Sequence, residues 1–322
     1  MDTHYTNPVW QGDMPDPFVL KWEGQYYAFG TGGQKREANG NIFPVLRSND
    51  LVHWQACGGA LIPPPAELGD DFWAPEVAYD GGKFYLYYSI GKGLRHQLRV
   101  ATSESPVGPY QDTGRPLVDP RIQPFCIDAH PFRDDDGQWY LFYARDFLDT
   151  EHGYHQGTAL VIDRLATMTR LAGEETTVLR ARHDWTLFEA QRSMPHYGVT
   201  ADWHTLEGPC VRKHAGRYYC FYSGSSFMTE NYGVDYAISS SVRGPYTGEG
   251  SEARVLRSVP GKVRGPGHHS IVLGPDGRTE YIVYHAWDAQ MQVRQMCIDR
   301  LLWTSEGPRC AGPSVDLQQI AL

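Results

Sequence analysis

One motif is written along this chain five times, and a chain that repeats itself at this spacing has few folds open to it. In the first copy, Asp13-Met14-Pro15-Asp16-Pro17-Phe18-Val19-Leu20 leads through a polar turn into Gly24-Gln25-Tyr26-Tyr27-Ala28-Phe29. The same order is an acid or histidine beside Pro or Gly, then a short apolar run, a turn and an aromatic run. It returns at Ala74-Pro75-Glu76-Val77 with Gly82 to Ser89, at Ile127-Asp128-Ala129-His130 with Gly137 to Tyr143, and at Leu206-Glu207-Gly208-Pro209 with Gly216 to Tyr222. A looser copy joins Gly267-His268-His269-Ser270 to Glu280 through Tyr284. The copies start roughly 55 to 80 residues apart, room for one four-stranded unit each, which predicts an all-β, five-bladed β-propeller. In such a ring the innermost strands converge on a funnel, so Asp16, Glu76, Asp128, Glu207 and His268 are expected to meet there. Carboxylates gathered in one concave place repel one another, and a fold that keeps them together uses them.

The 322 residues are expected to form one domain, 1–322, because all-β repeat folds commonly run this long as a unit. A formal net charge of −9 without any Lys/Arg run supplies no positive groove, which argues against a nucleic-acid partner. Tyr and Trp are plentiful; they suit stacking on sugar rings as well as filling blades. Cys57, Cys126, Cys210, Cys220, Cys297 and Cys310 show no C-x-x-C spacing and read as reduced, small core residues. There is no basic leader and no apolar run of about 18 residues, so no membrane partner is expected. The chain as given reads as cytoplasmic, or as secreted if a leader has been removed.

Local signals refine the picture. Asp16 stands between two prolines, and Pro17 is expected to hold it extended. Ser105-Pro106-Val107-Gly108-Pro109-Tyr110 and Ser241-Val242-Arg243-Gly244-Pro245-Tyr246 are two versions of one turn. Asp134-Asp135-Asp136-Gly137 reads as a hairpin turn rather than a calcium loop, because the alternating ligand spacing is missing. Between Arg170 and Thr205 the spacing lengthens and Trp185, Phe188, Met194, His196, Tyr197, Trp203 and His204 collect, a candidate wall for a pocket. The tail from Pro308 is expected to pair with the N-terminal strand.

Two carboxylic acids facing each other across a pocket can cleave a glycosidic bond. Asp16 in Pro-Asp-Pro, Trp73-Ala74-Pro75-Glu76, Ile127-Asp128, Glu207-Gly208-Pro209 and Gly267-His268 together resemble the family 43 glycoside hydrolases, five-bladed propellers acting on arabinose- and xylose-containing glycans. The resemblance runs over nearly the whole chain, in the family's motif order. It implies an inverting single displacement with Asp16 as general base, Glu207 as general acid, and Asp128 as a third acid that positions Glu207 and raises its pKa. It further implies that Trp73 stacks on substrate, that Arg294 binds substrate hydroxyls, and that His268 lies in the funnel near substrate and a central ion held through waters. Arg294 and His268 each fit a structural role as well, and Glu76 reads as structural. No cofactor is required; a hard cation such as Ca²⁺ would suit the acidic funnel. The expected partner is an oligosaccharide containing arabinose or xylose. The family's β-xylosidases usually carry a C-terminal β-sandwich, for which this length leaves no room. That favours the shorter arabinan- or arabinofuranoside-acting members, and a long segment before Glu207 that could block one end of the funnel, with a cytoplasmic setting, favours exo action. The expectation is an exo-acting α-L-arabinofuranosidase, with a β-xylosidase or bifunctional enzyme as one alternative and a non-catalytic carbohydrate-binding propeller as another. A fructan hydrolase would open on Asn-Asp-Pro-Asn, where this chain has Met14-Pro15-Asp16-Pro17.

Overall fold

Short aromatic and β-branched runs cut by Gly and Asp turns can satisfy their backbone only by pairing with one another. In the computed structural model, which describes residues 4–322, they do so throughout. Helix is confined to three single turns, Ala66–Leu68, Glu151–Gly153 and Asp184–Thr186, and among the described residues none is long and apolar enough to cross a membrane. Three copies of the motif each open a four-stranded antiparallel sheet. The first sheet holds Phe18–Trp22, Gln25–Phe29, Ile42–Ser48 and Trp54–Leu61; the second holds Asp71–Asp80, Lys83–Lys92, Arg95–Ser103 and Gln111–Asp112. The last holds Arg264–Leu273, Glu280–Trp287, Arg294–Thr304 and Gly307–Cys310.

The remaining two copies share a nine-stranded sheet. Cys126–Arg133, Trp139–Phe147 and Gly157–Thr167 belong to one copy, and Val199–His214, Arg217–Gly224 and Gly233–Ser239 to the other. They are joined only by a two-residue parallel pairing, Gly157 with His204 and Thr158 with Thr205. Gly157 makes this contact feasible, since a Cβ there would sit 1.9 Å from the His204 carbonyl oxygen. The cause is the long spacing noted before Glu207: Leu187–Met194 folds back on Val199–His214 as a hairpin, extending that strand until it reaches its neighbour.

The core explains the doubled aromatics. The second strand of each sheet sends alternate residues to opposite faces, as the two-residue period of a strand requires. Tyr87 thus packs with Leu141 and Tyr143 of the next copy, while Tyr88 packs with Phe29 and Tyr110 on the other side. Phe142 and Tyr222 share a third cluster, Phe221 and Tyr284 a fourth. Tyr281 and Val283 return to Tyr26 and Ala28 of the first sheet in a fifth. Each apolar layer is therefore shared by successive copies, with the last meeting the first. His4–Tyr5 pairs with Gln318–Gln319, the expected union of the two ends. The two Gly-Pro turns match in detail: Tyr110 Oη donates to the Pro106 carbonyl at 2.9 Å and Tyr246 Oη to that of Val242 at 3.0 Å. Asp134 spends its carboxylate on Tyr218 and Lys213. One expectation fails in part, for Cys57 is exposed on an edge strand rather than in the core.

Candidate active site

At the mouth of each innermost strand the backbone turns left-handed, at Asp16 (φ 53°), Ala74 (44°), Asp128 (59°), Gly208 (55°) and His268 (41°). Strand pairing slips beside four of these kinks. The expectation that Pro17 holds Asp16 extended is therefore corrected. A left-handed side-chain-bearing residue costs about 1–2 kcal/mol, and something must hold it there. The holder recurs: the N–H of each kink donates sideways to a side chain of the neighbouring copy. Ala74 reaches Thr31 Oγ1 (2.8 Å), Asp128 reaches Ser89 Oγ (3.2 Å), and Gly208 reaches Asp128 Oδ2 (2.9 Å). His268 reaches Ser223 Oγ (2.8 Å) and Asp16 reaches His285 Nδ1 (3.1 Å). The kinks are thus a property of the ring contacts, not of local sequence.

Of the residues singled out from sequence, Asp16, Asp128, Glu207, His268, Trp73 and Arg294 all line one cleft of about 430 Å³. Glu76 does not. It lies two residues past the kink at Ala74, just as His130 lies two past Asp128. These two side chains meet below the cleft, Nδ1 to Oε2 at 2.8 Å, while His130 Nε2 accepts the Val211 N–H. By motif Glu76 stands level with the other acids; in the structure Ala74 holds that place, and Glu76, two residues further on, corresponds to His130.

The carboxylates in the cleft have opposite surroundings. Asp16 accepts Arg294 Nη1 at 3.0 Å and the Thr31 hydroxyl at 2.6 Å, and His268 Nδ1 stands 3.5 Å away. Burial alone would raise its pKa, but Arg294 and then His268 hold it well below the ordinary carboxylate value. Glu207 has no ion pair among the described residues, and the field of His268 offsets only part of what burial does. Burial, and then the Asp128 carboxylate, push it up to about 7. Asp128 is itself raised by burial, with His268 opposing and Asp16 adding. Burial works against a charge on His268, yet Asp16, Asp128 and Glu207 together raise its pKa, so an imidazolium suits this place.

Several residues that shape the cleft carry no signal in the repeat. Tyr232 donates from Oη to Glu207 Oε1 at 2.6 Å, leaving the other carboxyl oxygen to face the cleft. Its ring lies parallel to that of His285 at 5.7 Å, and His285 holds the Asp16 backbone. Tyr232 fits only because residue 267 is glycine, where a Cβ would fall 2.3 Å from the ring. Burial lowers His285 to a pKa of about 4, so it is neutral, as its role as acceptor requires. Trp73 is fixed on both sides: its Nε1–H donates to Asp71 at 2.7 Å and its ring stacks on buried His96 at 3.5 Å. From the hairpin before Glu207, Phe188 and Arg192 line the cleft, as expected of a wall. Trp203 is instead wholly buried, and Tyr197 is tied to Asp146.

Residues 5–308 match the sequence model of the family described as glycosyl hydrolases family 43. The chain is 27% identical to the β-D-galactofuranosidase xynD of Aspergillus niger, over 95% of this chain and 84% of that protein. It is 25% identical to an extracellular exo-α-(1→5)-L-arabinofuranosidase of Streptomyces chartreusis, over 88% of this chain and 82% of the relative. The crystal structure of a thermostable family-43 glycoside hydrolase superposes with a TM-score of 0.81 at 30% identity, covering 98% of both chains.

Proposed function

Because the chain belongs to the family 43 glycoside hydrolases, we propose that its acidic cleft hydrolyses terminal furanosides by inversion, foremost α-L-arabinofuranosides at the ends of oligosaccharides. The observation that carries this is the opposite surroundings of two carboxyls in one cleft: Asp16 faces Arg294, Thr31 and His268, which favour its ionised form, whereas burial and the neighbouring Asp128 favour a proton on Glu207 up to about pH 7. Asp16 takes a proton from water as the water oxygen attacks the anomeric carbon. Glu207 gives its proton to the glycosidic oxygen as that C–O bond breaks, and the two carboxyls are reset through solvent. Asp128 keeps the acid protonated by like-charge repulsion and braces the backbone beside it through the Gly208 N–H. Trp73 offers a fixed ring face to the sugar, and Arg294, on Phe227 at 4.9 Å, has donors for hydroxyls beyond the one spent on Asp16.

The five shared apolar layers support reading the fold as five blades in one catalytic unit. No step needs a metal. Asp16 and Asp128 are engaged by Arg294, Thr31 and Gly208, so a hard cation near His268 would have to be held through water. A second substrate reading is favoured by the Aspergillus relative: β-D-galactofuranose has the ring configuration of α-L-arabinofuranose and adds one exocyclic carbon. The test is a panel of nitrophenyl α-L-arabinofuranoside, β-D-galactofuranoside and β-D-xyloside, with NMR of the first anomer released. Release of arabinose with inverted configuration is expected; retention, or no release from any of the three, overturns the reading.

A further inference from the structure

The hairpin wall carries a guanidinium that the hydrolytic machinery does not use. Arg192 lies on Leu187–Met194, the strand paired with the segment leading into Glu207, and both it and Phe188 line the cleft. Its guanidinium carbon lies over the Phe188 ring, 4.5 Å from the centroid, a cation–π contact. Among the described residues its ion-pair partner is Glu189, at 3.4 Å through Nε, on a side chain 57% exposed, whereas Arg192 itself is only 20% exposed. A sheltered guanidinium with its outer N–H groups unspent is poised for oxygen acceptors on a ligand.

The hairpin that carries it is pinned. Tyr197 at its tip donates to Asp146 Oδ2 at 3.1 Å, and Thr158 donates to Asp146 Oδ1 at 2.8 Å. Arg192 is therefore presented by a built wall and is not needed to hold it. The two cleft arginines also divide the carboxylates between them. Arg294 contacts Asp16, while Arg192 stands on the strand paired with the one that carries Glu207. In an inverting displacement the acid stands on the side of the departing group and the base on the side of the water.

We infer that Phe188 and Arg192 form the leaving-group subsite, with the guanidinium donating hydrogen bonds to the oxygens of a departing sugar, so that the enzyme prefers a glycosyl over an aryl aglycone. This rests on the hydrolase reading above. The measurement is kcat/KM on the disaccharide and on the nitrophenyl glycoside of the released sugar, for wild type, Arg192→Ala, Arg192→Gln and Arg192→Lys, with pH profiles. Charge-assisted hydrogen bonds to one sugar predict that Arg192→Ala and Arg192→Gln lower the disaccharide-to-aryl ratio roughly 10- to 100-fold, mainly through KM. Arg192→Lys should recover part of it, and the acidic limb, set by Asp16, should stay in place. An unchanged ratio in variants that fold overturns the subsite while leaving the hydrolase standing. A wild type that releases no sugar from any glycoside overturns both.

Discussion

Asp16 and Glu207 line the same cleft, the first buried and the second partly buried, and differ in what faces them. Asp16 is met by a threonine hydroxyl of its own copy of the motif and by a guanidinium and a histidine from the last copy. Glu207 is met by one tyrosine hydroxyl and by another carboxylate's field, with His268 opposing from a distance. Shielding raises both acids; only Asp16 has the cations to reverse it. The lesson is that burial sets the size of the stakes and the partner set decides the sign.

The contrast can be broken outright or adjusted by steps. Removing either carboxyl, as Asp16→Asn or Glu207→Gln, should lower kcat on an unactivated disaccharide by about 10²–10⁴, the usual reach of general acid–base catalysis. Glu207→Gln should lose less on a nitrophenyl glycoside, whose leaving group needs less protonation, and equal losses on both substrates would count against Glu207 as the acid.

Stability offers the next largest effect. A carboxyl raised to about 7 in the fold favours the folded state below its unfolded pKa near 4.5 and loses that advantage as pH rises through 7. The wild type should therefore lose on the order of 3 kcal/mol between pH 4.5 and 8 through this group. Glu207→Gln should flatten that slope in chemical denaturation series.

Arg294→Met takes away the main cation at Asp16. The base must be ionised to work, so the acidic limb of kcat/KM should move to higher pH, with a loss at the optimum of roughly tenfold or more. Asp128→Asn acts on the other side: relieved of a like charge, Glu207 ionises more readily, and the alkaline limb should move down by about one unit. Tyr232→Phe should do the reverse by less, since its hydroxyl favours the charged form of Glu207; the alkaline limb should rise by a fraction of a unit. Limbs that move in the opposite directions would reverse the assignment of acid and base.

Much of this was legible before any coordinates. The repeated motif marks the strands, the doubled aromatics mark sheets packed on both faces, and Asp16, Asp128 and Glu207 stand at matching places. What escaped is whatever depends on contacts between copies. The Pro-Asp-Pro stretch argues for an extended Asp16, and a hydrogen bond from 269 residues away overrides it. Glu76 aligns with the cleft acids by motif but lies two residues past its kink, at the place His130 takes in the next copy, an offset the motif alone does not reveal. Tyr232 has no counterpart in the other copies; a glycine at 267, inside a motif that otherwise favours side chains, was its only trace. Arg192 was hidden in the one segment whose path the repeat does not dictate.

The recurring left-handed turn has a consequence for how such a molecule can change. Its five positions are equivalent sockets at one rim, each secured by a neighbour's side chain rather than by the identity of its own occupant. At Ala74 the socket holds only a methyl group. Asparagine and aspartate tolerate this backbone best after glycine, so the backbone at Ala74 already has the shape that holds Asp16 and Asp128 elsewhere in the ring.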